Sequence, residues 1–180
     1  MWLLALALTL SALCVWASVW RLGQVRRAFP RESAALGREL SRLPEHDLPK
    51  LAEALPAASA ERALVEALTE SSVGPARIAL VNEQLGDIAA ALDRGRGVPR
   101  AAGRVALGGG LGLGVWRVAS TVASADGGDA ALAGAAFGIG LVAAGVCLAL
   151  GRRADALAGD AREQWDTLGR IIARRFVPDA

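Results

Sequence analysis

Few side chains in this 180-residue sequence have the type and setting for chemistry. Arg117 is a lone cation inside the apolar stretch Val105 to Ala125, and Ser120, Thr121 and Ser124 add hydroxyls further along it. A guanidinium in hydrocarbon costs at least about 2.5 kcal/mol near a bilayer centre, so such a residue faces a protein interior, a water-filled cavity or an acidic partner. The alternative is that it snorkels to the interface, at a level marked by Trp116. The single histidine, His46, stands between Glu45 and Asp47 in a proline-bounded polar segment, with no second histidine or nearby cysteine to complete a metal site or nucleophile pair. It reads as a solvated surface residue. The glycine run Gly108 to Gly114 neither fits Gly-x-Gly-x-x-Gly nor opens a soluble helix after a strand, which rejects a dinucleotide loop. No acid/base set is assembled, so neither an enzyme nor a cofactor is expected.

The elements that must position these residues are membrane spans. Three apolar stretches, Trp2 to Trp20, Val105 to Ala125 and Ala130 to Leu150, are each close to the roughly 20 residues a helix needs to cross a bilayer. Hydrophobic residues make up 53% of the chain, yet almost all of the 20 Lys and Arg and 18 Asp and Glu fall outside those stretches, which favours lipid over a soluble core. A net charge of +2 and the absence of any basic-aromatic cluster argue against nucleic acid. The first stretch lacks a basic leader and ends on Trp16, Trp20 and Arg21 instead of a small-residue cleavage site, so it is expected to be a retained anchor. Arg21, Arg26, Arg27 and Arg31 follow the first stretch, Arg94, Arg96, Arg100 and Arg104 precede the second, and Arg152 and Arg153 follow the third. Three crossings put all of them on one side, which the positive-inside rule makes the cytoplasm. The turn Asp126 to Asp129 then faces outward, and Cys14 and Cys147, both within spans, read as small packing residues.

The fold expected is an all-α membrane protein with three transmembrane helices, N-out and C-in, and long cytoplasmic helical extensions. Residues 1–21 form the first span, 22–104 a cytoplasmic helical insert, 105–150 a transmembrane hairpin and 151–180 a cytoplasmic C-terminal helix. Pro30, Pro44, Pro49, Pro56 and Pro75 punctuate the insert into short helices and one longer one. The longer one is predicted over Pro75 to Arg94, where Ile78, Val81, Leu85, Ile88 and Leu92 fall on one stripe and Gly95 and Gly97 supply the stop. Ala161, Trp165, Leu168 and Ile172 repeat that spacing, so the last span is predicted to continue as a helix to about Phe176. Arg94 to Arg100 is the expected break.

Within the hairpin, Gly108/Gly112, Gly110/Gly114 and Gly134/Gly138 have the small-xxx-small spacing that lets membrane helices approach closely. General helix packing and a specific oligomer or pore contact both account for it. Apolar stripes on the cytoplasmic helices must be covered by one another or by neighbouring copies, which points to a homo-oligomer embedded in membrane lipid.

This plan resembles the MotA/TolQ/ExbB family of bacterial inner-membrane proton-channel proteins. Gly110-Leu-Gly-Leu-Gly-Val115-Trp-Arg117 loosely follows that family's Gly-Leu-Leu-Gly-Thr-Val-x-Gly, keeping Gly110, Leu111 and Val115, and Gly140-Leu141-Val-Ala143-Ala fits the latter half of its third-span pattern. The resemblance implies a pentamer around a single-span protein of the ExbD, TolR or MotB type, with ion flow driving envelope transport or motility. Gly108 to Gly114 and Gly134 to Gly140 would line the subunit or partner interface, and Arg117 would meet a partner carboxylate. The family's ion-route threonines fall at Gly114, Ala136 and Phe137, where this chain has no hydroxyl; Ser120 and Thr121 lie two turns beyond Gly114. The alternative is a non-conducting membrane scaffold whose cytoplasmic helices recruit a partner.

Overall fold

The computed structural model describes residues 2–30, 33–57, 59–70, 74–124 and 130–176. Every regular element among them is helical: α1 (Trp2–Ala28), α2 (Ser33–Arg42), α3 (Leu48–Ala54), α4 (Ala60–Glu70), α5 (Gly74–Asp93), α6 (Val98–Ser124) and α7 (Ala130–Phe176), with one 3-10 turn at Glu45–Asp47. The turn expected at Asp126 to Asp129 lies outside the described residues.

Local rules account for the boundaries. Pro49, Pro75 and Pro99 occupy first turns, where a missing N–H costs nothing, and Leu55 is held extended (φ −83°, ψ 149°) by the proline that follows it. Ser59 Oγ accepts the Arg62 backbone N–H at 3.2 Å and caps α4. Gly95, at φ +75°, ends α5 in the left-handed conformation glycine adopts cheaply. The break expected over Arg94 to Arg100 is therefore confined to residues 94–97, because Pro99 initiates α6 instead of interrupting it.

The chain forms two compact units, Met1–Gly23 with Gly95–Asp155, and Gln24–Arg94 with Ala156–Ala180. Both α1 and α7 contribute residues to each.

In the first unit α1, α6 and α7 meet along seams of small residues. Cys14 of α1 clusters with Ala102 and Ala106 of α6 and with Ala143, Ala144 and Cys147 of α7. Along α1 the buried positions Ala7, Ser11, Cys14, Ser18 and Arg21 follow a spacing of four, three, four and three that keeps one face turned to its neighbours, and Leu22 and Val25 are buried beyond them. The large apolar side chains point the other way. Among the described residues, every strongly exposed large hydrophobic lies within 2–20, 105–122 or 137–148, from Trp2 at 67% to Val122 at 77%. On α1 and α6 that inversion of the soluble pattern is carried over about 18 residues, or roughly 27 Å of helix, which matches the hydrocarbon thickness of a bilayer. Three helical segments are long and apolar enough to cross a membrane. Trp2 and Trp116 stand toward one end of the belt and Trp16 and Trp20 toward the other, all four exposed.

The second unit is built like a soluble domain. α4 packs on α3 and α5. Leu36, Leu40, Leu48, Leu64, Val65, Leu68, Val81 and Leu92 are buried, and so are Ala161, Trp165, Leu168 and Ile172 on α7. The α7 segment reaches its neighbours through specific contacts: Trp165 Nε1 donates to the Ala28 carbonyl at 3.0 Å, Gly169 faces Leu85, and Gly37 faces Leu168 and Ile171. Arg175 donates to the carbonyls of Leu40 and Leu43 at the end of α2, and Arg77 lies 5.4 Å from the Phe176 ring centroid while pairing with Glu45 at 3.3 Å.

Trp165 joins the indole's buried area to a hydrogen bond, so its replacements should separate the two. Trp165→Phe is expected to lower stability by about 1 kcal/mol and Trp165→Ala by about 3–5 kcal/mol. Thermal denaturation in mild detergent, followed by circular dichroism, checks the order and the gap.

Candidate functional site on the α6–α7 hairpin

The hairpin is an antiparallel pair in which glycines bring backbone against backbone. A Cβ on Gly110 would stand 2.9 Å from Gly140 Cα and 3.0 Å from the Ala136 carbonyl oxygen, and one on Gly140 would stand 2.6 Å from the Ala106 oxygen. Gly114 sits against the Ala133 carbonyl at 3.2 Å by the same measure. Only glycine fits such a crossing, and its backbone approach is what small-xxx-small spacing makes available.

The two interleaved glycine pairs of α6 therefore differ. Gly110 and Gly114 face α7, whereas a Cβ on Gly108 or Gly112 would meet nothing within 4 Å, and the same holds for Gly134 and Gly138 on α7. Of the positions aligned with the family's threonines, Gly114 and Ala136 are buried in the seam between α6 and α7, and Phe137 is 38% exposed. They lie inside the packed α6–α7 pair or on its apolar surface.

Arg117 is partly buried in a small pocket with Trp2, Leu3 and Leu4 of α1, Leu113 of α6, and Leu132 and Ala136 of α7. Its Nε is buried and has no hydrogen-bond partner among the described residues. The neighbouring Trp2 places it level with the start of α1, and the exposed apolar surface of α6 continues past it to Val122. Ser120 Oγ donates to the Arg117 carbonyl at 2.8 Å, and Thr121 Oγ1 donates to those of Val118 at 2.8 Å and Arg117 at 3.2 Å. Both hydroxyl protons are thus committed to the helix's own backbone.

At the other end of the hairpin lies a feature that sequence patterns did not single out. Arg96, Arg100, Arg104 and Arg152 rim a groove of about 430 Å³ whose floor includes Leu107, Ala144 and Leu148, with Asp155 as its one carboxylate. Gly103 and Gly151 also line it, and a Cβ on Gly151 would stand 2.9 Å from Pro99 Cβ, so α6 and α7 approach closely there. The three α6-side arginines recur every four residues, a signal legible in the sequence, but the α7 register that completes the groove is not.

His46 is exposed and 3.4 Å from Asp47, whose carboxylate the Lys50 ammonium, hydrogen-bonded at 2.7 Å, holds below its ordinary pKa. No group of three or more potential metal ligands occurs among the described residues. Comparisons with family models, curated proteins and solved structures return no match for this chain.

The asymmetry among the glycines is directly measurable. Gly140→Ala should cost about 1–3 kcal/mol through backbone displacement, with Gly110→Ala similar. Gly108→Ala and Gly138→Ala are expected to leave the monomer as stable or up to about 1 kcal/mol more so, because alanine is the better helix former. Melting temperatures of the four variants in detergent at high dilution test this ranking; equal losses at all four positions would exclude it.

Proposed function

We propose that this chain is a three-span inner-membrane subunit that assembles with copies of itself around a single-span partner, in the manner of the MotA/TolQ/ExbB proteins it resembles. The observation that carries the proposal is the open glycine surface. Gly108, Gly112, Gly134 and Gly138 carry no side chain, and a Cβ at any of them would meet no neighbouring helix within 4 Å, so they leave room for a close approach by a helix from another chain. The arginine-rich end of the three helices faces the cytoplasm in this reading, with residues 24–94 and 156–176 as the cytoplasmic body. Arg117, toward the opposite end with an unsatisfied Nε, suits a partner carboxylate.

Whether the assembly moves ions is a separate part of the proposal. A second reading, a non-conducting scaffold, draws support from one observation: Gly114 and Ala136 carry no hydroxyl and are packed within the subunit, so a pore lined by those positions has nothing to offer a proton or a sodium ion. For conduction, Ser120 and Thr121 would supply oxygen lone pairs, since their protons are engaged.

Chemical crosslinking and native mass spectrometry in mild detergent should show a homo-oligomer retaining a single-span protein; a bare monomer would count decisively against assembly. Proteoliposomes holding the complex then divide the two readings. Proton or sodium flux abolished by Asp→Asn in the partner's span supports the ion-coupled subunit, and the absence of flux from an intact complex supports the scaffold.

A further inference from the structure

We infer that the arginine-rimmed groove between α6 and α7 is a binding site for the headgroup of an anionic phospholipid. The first observation is charge. Four guanidinium groups face one carboxylate, and Asp155 reaches Arg96 at 3.7 Å and Arg100 at 3.6 Å, too far for hydrogen bonds. Arg104 and Arg152 make no ion pair or hydrogen bond among the described residues, which leaves two forked donor sets for a phosphate.

The second observation is where the charge sits. The strongly exposed apolar belt begins on α6 at Val105 and ends on α7 at Leu148. Arg104 is the residue just before the first boundary, and Arg152 stands one helical turn after the second. The floor of the groove runs from these cations into the belt through Leu107 and Leu148. A free anion would use only the rim. A phospholipid uses both parts, its phosphate against the guanidinium groups and an acyl chain along the apolar floor, and basic clefts between membrane helices are suited to such headgroups.

The inference rests on the membrane placement proposed above, but not on ion coupling or on the family resemblance. Resistance to alkaline carbonate extraction is read first: a chain stripped from the membrane by carbonate would overturn the placement itself. For an integral chain, native mass spectrometry of the purified protein with added phosphatidylglycerol or phosphatidylcholine reads the site. Phosphatidylglycerol should be retained at least about tenfold better, a preference that Arg100→Gln/Arg104→Gln/Arg152→Gln reduces to parity and Arg170→Gln/Arg174→Gln leaves intact. Asp155→Asn should strengthen retention, which keeps the test decisive if the triple variant unfolds. Equal retention of both lipids, a preference that survives the triple variant, or a site emptied by millimolar inorganic phosphate would each overturn the inference. So would an acidic polypeptide that holds the groove against added lipid.

Discussion

The contact between Gly110 and Gly140 is the constraint on which the first unit depends. With the two backbones this close, no side chain fits between them, and the buried cluster beside the crossing is alanine and cysteine. Bulk displaced from the seam has to go elsewhere, and the leucines, valines and tryptophans of α1, α6 and α7 stand on the outer faces. In water such a surface would aggregate. In a bilayer it is the ordinary solvent-facing side, and close van der Waals packing of small residues supplies the cohesion that the hydrophobic effect cannot.

The second unit solves the same problem with the opposite chemistry. There α7 presents Trp165, Leu168 and Ile172, and the shorter helices bury large side chains such as Leu40, Leu64 and Leu68. A single helix thus carries two packing regimes, small-residue seam first and large-residue core afterwards. The composition change near Gly151 marks where one gives way to the other.

Much of this was legible in the residues. Proline positions placed the breaks in the insert, and the stripe of Val81, Ile88 and Leu92 identified the buried face of α5, because a polar opposite face gives the pattern its phase. Phase was unreadable where the helix is apolar all round. Gly108/Gly112 and Gly110/Gly114 share one spacing but are offset by two residues, about 200° around the axis, so they look in nearly opposite directions. Nothing in α6 alone says which pair meets α7. Arg21 illustrates the same loss: it was counted with the arginines after the first span, yet it is 1% exposed and continues the inward seam of α1.

That seam has a consequence for the order in which the chain is made. α1 leaves the ribosome long before α6 and α7 exist, and Ala7, Ser11, Cys14, Ser18 and Arg21 have no seam to join until the hairpin arrives. On the membrane placement proposed above, a newly made α1 persists as a solitary inserted helix whose waiting face carries two hydroxyls and, at its end, the Arg21 guanidinium. Ser18 lightens that burden by donating its proton to the Cys14 carbonyl at 3.0 Å, within its own turn. The exposed ring of leucines and tryptophans keeps the early helix in place while its other side waits. On that placement, insertion of α1 and its packing against the hairpin are separable in time, and the small-residue face of α1 is the part that registers the later event.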